Sequence, residues 1–186
     1  MGNRRLSRKR LFQVEKKGKA VDLESGAGIS ECVISATQHR QGQEIITEIL
    51  LDLGSSKLTS AITVSGTEDK VCARAGLSGA ITKMTVAKYG IVTEIRAVVL
   101  EVTNKNVDVA AAAQHDIVQG GTTLSTNYAE VLAAATTAVG LDESADIDDA
   151  PVRSLYITDG GAGLSGTVTQ GKIAIYIHGF EVPADL

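Results

Sequence analysis

Eight of the eighteen lysine and arginine residues crowd into the first nineteen positions, and this segregation decides which part of the chain can build a core. Arg4, Arg5, Arg8, Lys9, Arg10, Lys16, Lys17 and Lys19 face one carboxylate, Glu15, so residues 1–19 carry about +7. The other 167 residues hold ten basic and twenty-one acidic side chains, a net of −11 that the overall −4 conceals. Charge at this density cannot be buried unpaired. Residues 1–19 are therefore expected to form a basic arm, and residues 20–186 a single body domain. Leu6, Leu11, Phe12 and Val14 give the arm a few apolar anchors.

The body must build its core without large aromatics. There is no Trp, and the whole chain has two Phe and four Tyr. Burial has to rest on Val, Ile, Leu and Ala, and nineteen Gly against two Pro favour short strands joined by turns. Alternating apolar and polar residues mark strands at 45–53, 58–64, 71–75, 81–87, 91–103, 107–113, 154–158 and 172–180. The longest, 91–103, places Ile95, Ala97 and Val99 on one face and Arg96, Val98 and Leu100 on the other. Asn104-Lys105-Asn106 is read as a hairpin turn joining it to 107–113, and 58–64 is read as the partner of 45–53. Residues 20–43 read as irregular, and 142–149 as an acidic loop. Asn127 and Glu130 have capping-box spacing, and Tyr128, Val131, Leu132, Ala135 and Val139 fall at helical intervals, so a helix is expected over about 127–139 with Gly140 at its end. Alternation, as opposed to continuous apolar runs, points to antiparallel pairing. The expected fold is mainly β: an antiparallel β-sandwich or small barrel with one helix and an extended basic arm.

Motifs that could carry catalysis lack their context. Gly161-Ala162-Gly163-Leu164-Ser165-Gly166 has the glycine spacing of a dinucleotide loop, but strand and turn residues follow it where a helix N-terminus is required. Asp52 to Lys57 resembles the first phosphate hairpin of actin-like ATPases, but the chain is about half the length such a fold needs. The acidic run Asp142, Glu143, Asp146, Asp148 and Asp149 lacks the glycine and glutamate of a calcium loop. Cys32 and Cys72 are forty residues apart with no Cys-x-x-Cys pair, so two buried free thiols are expected in place of a zinc site. His39, His115 and His178 are scattered. No catalytic residue, metal ligand or cofactor is assigned, and no enzymatic activity is expected. No apolar run reaches the ~20 residues that cross a bilayer, and no apolar stretch follows the basic start, so a soluble protein made in a reducing cytoplasm is expected.

The arm can meet phosphates or carboxylates. Stacking aromatics are scarce and the body is acidic, which ranks protein docking above nucleic-acid binding. The residues expected to touch the partner are Arg4, Arg5, Arg8, Lys9, Arg10, Leu11 and Phe12.

Four stretches carry a resemblance: Asn3-Arg4-Arg5-Leu6-Ser7-Arg8-Lys9-Arg10-Leu11, Ser35-Ala36-Thr37-Gln38-His39-Arg40-Gln41-Gly42, residues 44–54, and Gly171-Lys172-Ile173-Ala174-Ile175-Tyr176-Ile177-His178-Gly179-Phe180. They resemble small virion structural proteins of marine tailed bacteriophages. The resemblance implies a capsid decoration or cement protein, located in the virion and made in the host cytoplasm. It implies the major capsid protein or another virion protein as partner, a homo-oligomer as the working form, and no membrane. The alternatives are a tail or neck component and a non-specific nucleic-acid-binding module. The resemblance transfers no site residue beyond the arm.

Overall fold

The structure, a computed structural model, describes residues 18–54, 63–64, 71–72, 79–112, 128–133, 139–140, 142–146, 153–160 and 166–182. Among them are twelve strands, a 3-10 turn (Ser30–Cys32, between the first two strands) and one α-helical turn, in the order β1 (Lys19–Ala20), β2 (Val33–Gln41), β3 (Glu44–Asp52), β4 (Thr63–Val64), β5 (Ala80–Met84), α1 (Val86–Tyr89), β6 (Ile91–Glu101), β7 (Val107–Ala112), β8 (Tyr128–Leu132), β9 (Asp142–Asp146), β10 (Arg153–Asp159), β11 (Gly166–Thr167) and β12 (Lys172–Phe180). Six strands form a large sheet in the order β1-β2-β3-β12-β6-β9. Four form a small sheet, β5-β10-β7-β8, and β4 pairs with β11 in a two-stranded ribbon. The pairings are antiparallel. The expected β-sandwich is the fold that forms.

Period-two alternation explains the core. On the inner face of the large sheet, Ile49, Ile175 and Ala97 sit in one row, Leu51, Ile173 and Val99 in the next, and Thr47, Ile177 and Ile95 in a third. All nine are fully buried. All but Thr47 share one apolar cluster with Ile81, Val107, Val109, Ala111, Leu155 and Ile157 of the small sheet, so the two sheets pack face to face. Each large aliphatic side chain taken from water contributes about 1.5–3 kcal/mol, which lets the body dispense with Trp. The small sheet is also buried on its other face, where Val71, Ala80, Ala110, Ala112 and Tyr156 form a second cluster.

Five expectations are corrected. The helix expected over 127–139 is a strand where the structure describes it: Tyr128–Leu132 is β8, paired with β7 from Ala112↔Tyr128 to Val109↔Leu132. Helical spacing is a weak local preference, and the open edge of a buried sheet outcompetes it by supplying ladder hydrogen bonds. Residues 134–138 lie outside the described residues. Gly140 does adopt the left-handed backbone, at φ 81°, and its N–H donates to the Val99 carbonyl at 2.7 Å. Among the described residues the α-helix is the single turn α1, which takes the end of the stretch 81–87 read as strand and the break that follows it.

The acidic stretch is not all loop, since Asp142–Asp146 is β9, the edge strand beside β6. Asn104-Lys105-Asn106 does not close a hairpin, because β6 belongs to the large sheet and β7 to the small one. The reason lies in β7 itself. All six of its residues are buried, a pattern that suits the interior of a sheet covered on both faces. Thr63–Val64, the described end of the stretch 58–64, does not pair with β3, whose two edges are taken by β2 and β12; it pairs with Gly166–Thr167 instead. Residues 58–62 lie outside the described residues. Finally, part of the stretch read as irregular is the nine-residue strand β2.

The turn α1 closes one end of the sandwich. Tyr89 is buried there, its hydroxyl 2.7 Å from Thr82 Oγ1, which donates in turn to the Leu23 carbonyl at 2.9 Å. Burial, with the carboxylates of Glu24 and Asp22 adding to it, pushes the phenol up to about 12. A phenol harder to ionise in the folded state stabilises the fold fully below its ordinary value near 10, and the contribution is lost as pH rises through about 12. Two units correspond to about 3 kcal/mol. The buried Cys72 thiol acts in the same direction from about pH 9. Denaturant midpoints measured from pH 9 to 12 should therefore fall steeply, and Tyr89→Phe should flatten most of the decline above pH 10. An equally steep decline in that variant would contradict the assignment.

Candidate interaction surface

The residues singled out in the arm, Arg4, Arg5, Arg8, Lys9, Arg10, Leu11 and Phe12, lie outside the described residues. The arm's root is described. Lys19 pairs with Gln38 and Ala20 with Thr37, and the Val21 N–H donates to the Ala36 carbonyl at 3.1 Å. β1 is thus the edge strand of the large sheet, laid antiparallel on β2. Antiparallel pairing means that Gly18, the residue before β1, lies on the side of Lys19 nearer the end of the sheet where β2 turns into β3.

The outer face of the same sheet is a broad described surface that the core does not use. Register sets out its rows. Gln41, Glu44, Phe180 and Ile91 form the row nearest the β2–β3 turn. His39, Ile46, His178 and Glu94 follow, and then Thr37, Glu48, Tyr176 and Arg96. Phe180 and Ile91, directly opposite each other, are 46% and 56% exposed. Ile46, Leu50, Tyr176 and Val98 on this face are half-buried. Glu44, Glu48 and Glu94 supply three carboxylates to these rows against the single guanidinium of Arg96. Further along, Lys172 is bonded to Glu101, and that hydrogen bond holds its ammonium above the ordinary value.

Histidines that looked scattered partly converge here. His39 and His178 flank Ile46 in one row, and His178 Nδ1 lies 2.9 Å from Glu44 Oε1. His115 lies outside the described residues. Among the described residues no group of three His, Cys, Asp or Glu side chains could hold a metal ion.

The other tempting motifs stay structural where they are described. Asp52 ends β3 and its carboxylate accepts the Gly54 N–H at 3.1 Å, a local turn bond. The Gln170 Cα lies only 2.3 Å from where a Gly54 Cβ would be, so packing on the neighbouring chain accounts for that glycine. Residues 55–57 and 161–165 lie outside the described residues, and Gly166 begins β11. Both cysteines are buried free thiols, as expected. Burial first, then the carboxylates of Asp159 and Asp108, pushes the Cys72 thiol well up, which keeps it protonated and a poor nucleophile. No described helix is long and apolar enough to cross a membrane.

No protein-family model, curated protein or solved structure gives a significant match to the chain. Sequence reading missed the outer face because its members come from four strands, and only register shows that Glu44, Phe180 and Ile91 are neighbours. The signal that could have pointed to it is the ending of 172–180, where one of the two phenylalanines follows Gly179 on the polar side of the alternation.

Proposed function

We propose that the protein is a structural component of a tailed-bacteriophage virion, a capsid decoration or cement protein that docks on the major capsid protein through its basic N-terminal arm and works as a homo-oligomer. One observation carries the reading: a segment of about +7 is rooted on the edge strand of a β-sandwich whose buried faces serve packing. Rigid β body and charged strap are the two parts a shell-binding protein needs. The strap gains affinity by pairing guanidinium forks with carboxylates, and repeated copies on a lattice raise avidity without new contacts. The resemblance of residues 3–11, 35–42, 44–54 and 171–180 to marine phage virion proteins supports the same reading.

The test is removal of the arm. A protein starting at Gly18 keeps Lys19–Ala20 and their pairing with β2. It should still fold, unfolding in one cooperative transition. It should no longer co-sediment with particles. A truncated protein that still decorates them would overturn the role of the arm. Binding to generic duplex DNA that weakens steeply with salt would favour a nucleic-acid-binding module instead.

A further inference from the structure

We infer that the near half of the arm, Leu11 to Lys17, folds back over the outer face of the large sheet of its own body, with Phe12 seated against Phe180 and Ile91. The inference goes beyond the virion reading and stands on the body alone. Four observations lead to it.

The first is direction. β1 is antiparallel to β2, so Gly18 and Lys19 point the preceding chain toward the β2–β3 turn, and the row beside that turn is the one holding Phe180 and Ile91. The second is reach. β1 is three strand spacings from β12, roughly 14 Å. Phe12 is six residue steps from Gly18, enough for about 20 Å of extended chain. Phe12 can arrive, and the arm of another copy is not needed to cover the patch.

The third observation is chemistry. Phe180 and Ile91 are a directly paired aromatic and aliphatic residue left about half exposed at the surface. The chain's other phenylalanine is Phe12, and Leu11 and Val14 flank it. Aromatic side chains bury 150–250 Å² each, so closing this contact removes a large apolar area from water. The fourth is charge. Glu44, Glu48 and Glu94 surround the patch against Arg96, while Lys16 and Lys17 lie in the part of the arm that must pass over them. Lysine stems cover apolar surface and leave their ammonium groups among carboxylates. Seated this way, the near half fixes where the far half begins, and Arg4, Arg5, Arg8, Lys9 and Arg10 project from a defined point on the body.

Limited trypsin digestion of the full-length protein, with released peptides followed by mass spectrometry, tests this without any particle. Cleavage after Lys16 and Lys17 should be at least tenfold slower in the unmodified protein than in Phe12→Asp, while cleavage after Arg4 and Arg5 keeps one rate in both. Phe180→Asp should give the same pattern from the body's side. Phe12→Asp changes none of the described strands, so the comparison survives even if Phe180→Asp disturbs the sheet. Equal cleavage after Lys16 and Lys17 in the unmodified and Phe12→Asp proteins would overturn the inference. Protection that disappears on hundredfold dilution would overturn it too, because the occupant would then be a second copy's arm. Neither result depends on whether the protein decorates particles.

Discussion

Gly179→Ala should destabilise the body by about 3–4 kcal/mol, lowering the melting temperature by about 10 °C for a domain of this size. An added Cβ would stand 2.0 Å from the Tyr89 carbonyl oxygen and 3.2 Å from that of Ile91. Both are backbone atoms, so no side chain can swing aside. β12 would have to separate from the α1–β6 junction, or the pairing of Gly179 with Val92 would have to slip. The opposing surface is built the same way. At Gly90 an added Cβ would lie 2.2 Å from the Phe180 carbonyl oxygen, and the backbone there has φ 70° and ψ −160°, a region essentially reserved for glycine. Gly90→Ala therefore carries a conformational cost of about 1–3 kcal/mol as well as the clash. The two glycines let two stretches of main chain touch, and Tyr89 sits directly beside that contact. Thermal denaturation of each variant measures the effect. A shift below about 3 °C for Gly179→Ala would mean that the main chains do not approach this closely.

Under the proposed docking role, neutralising Arg4, Arg5, Arg8, Lys9 and Arg10 together, each to Ala, should weaken attachment to particles by about a thousandfold or more. Charge-assisted pairs of an ordered docked segment contribute about 1 kcal/mol each or more, and five of them amount to about 5 kcal/mol. The melting temperature of the body should not move, since these residues precede the first described strand. Replacing the four arginines by lysine separates two effects. Charge remains but the forked, two-bond geometry is lost, so binding should fall to an intermediate level. Sedimentation with purified particles across a salt series measures both variants. Binding unchanged in the neutralised variant would remove the arm from the interface. The two proposals also separate experimentally: neutralising the far arginines tests attachment, and Phe12→Asp tests the contact with the body.

Much of the strand content was legible because it rests on a local pattern. Residues 91–103 and 172–180 alternate cleanly, and the buried members of β6 and β12 are the ones alternation selects. The free, buried cysteines followed from their spacing and from the absence of partners for a metal site. Elements that failed the local reading are those whose state depends on a distant partner. Tyr128–Leu132 has helical spacing and becomes a strand because β7 offers it a ladder. Asp142–Asp146 looks too polar for a sheet and is tolerated as an edge strand. Of the candidate surface, its charge was legible in the contrast between arm and body. Its place was not, since it depends on which strands lie beside β3 and β12.

The amino-acid sequence by itself determined the split between a basic arm and an acidic β body, the reliance on aliphatic burial, and the faces of the long strands. Each of these is a matter of composition or of period two within a few consecutive residues. Tertiary structure alone decided that the 104–106 link crosses between sheets, that β1 roots the arm on the large sheet's edge, and that Phe180 and Ile91 meet beside Glu44. Strand order is a choice among long-range pairings whose local sequences look alike. It is settled by which faces must be buried together, a property of the whole domain.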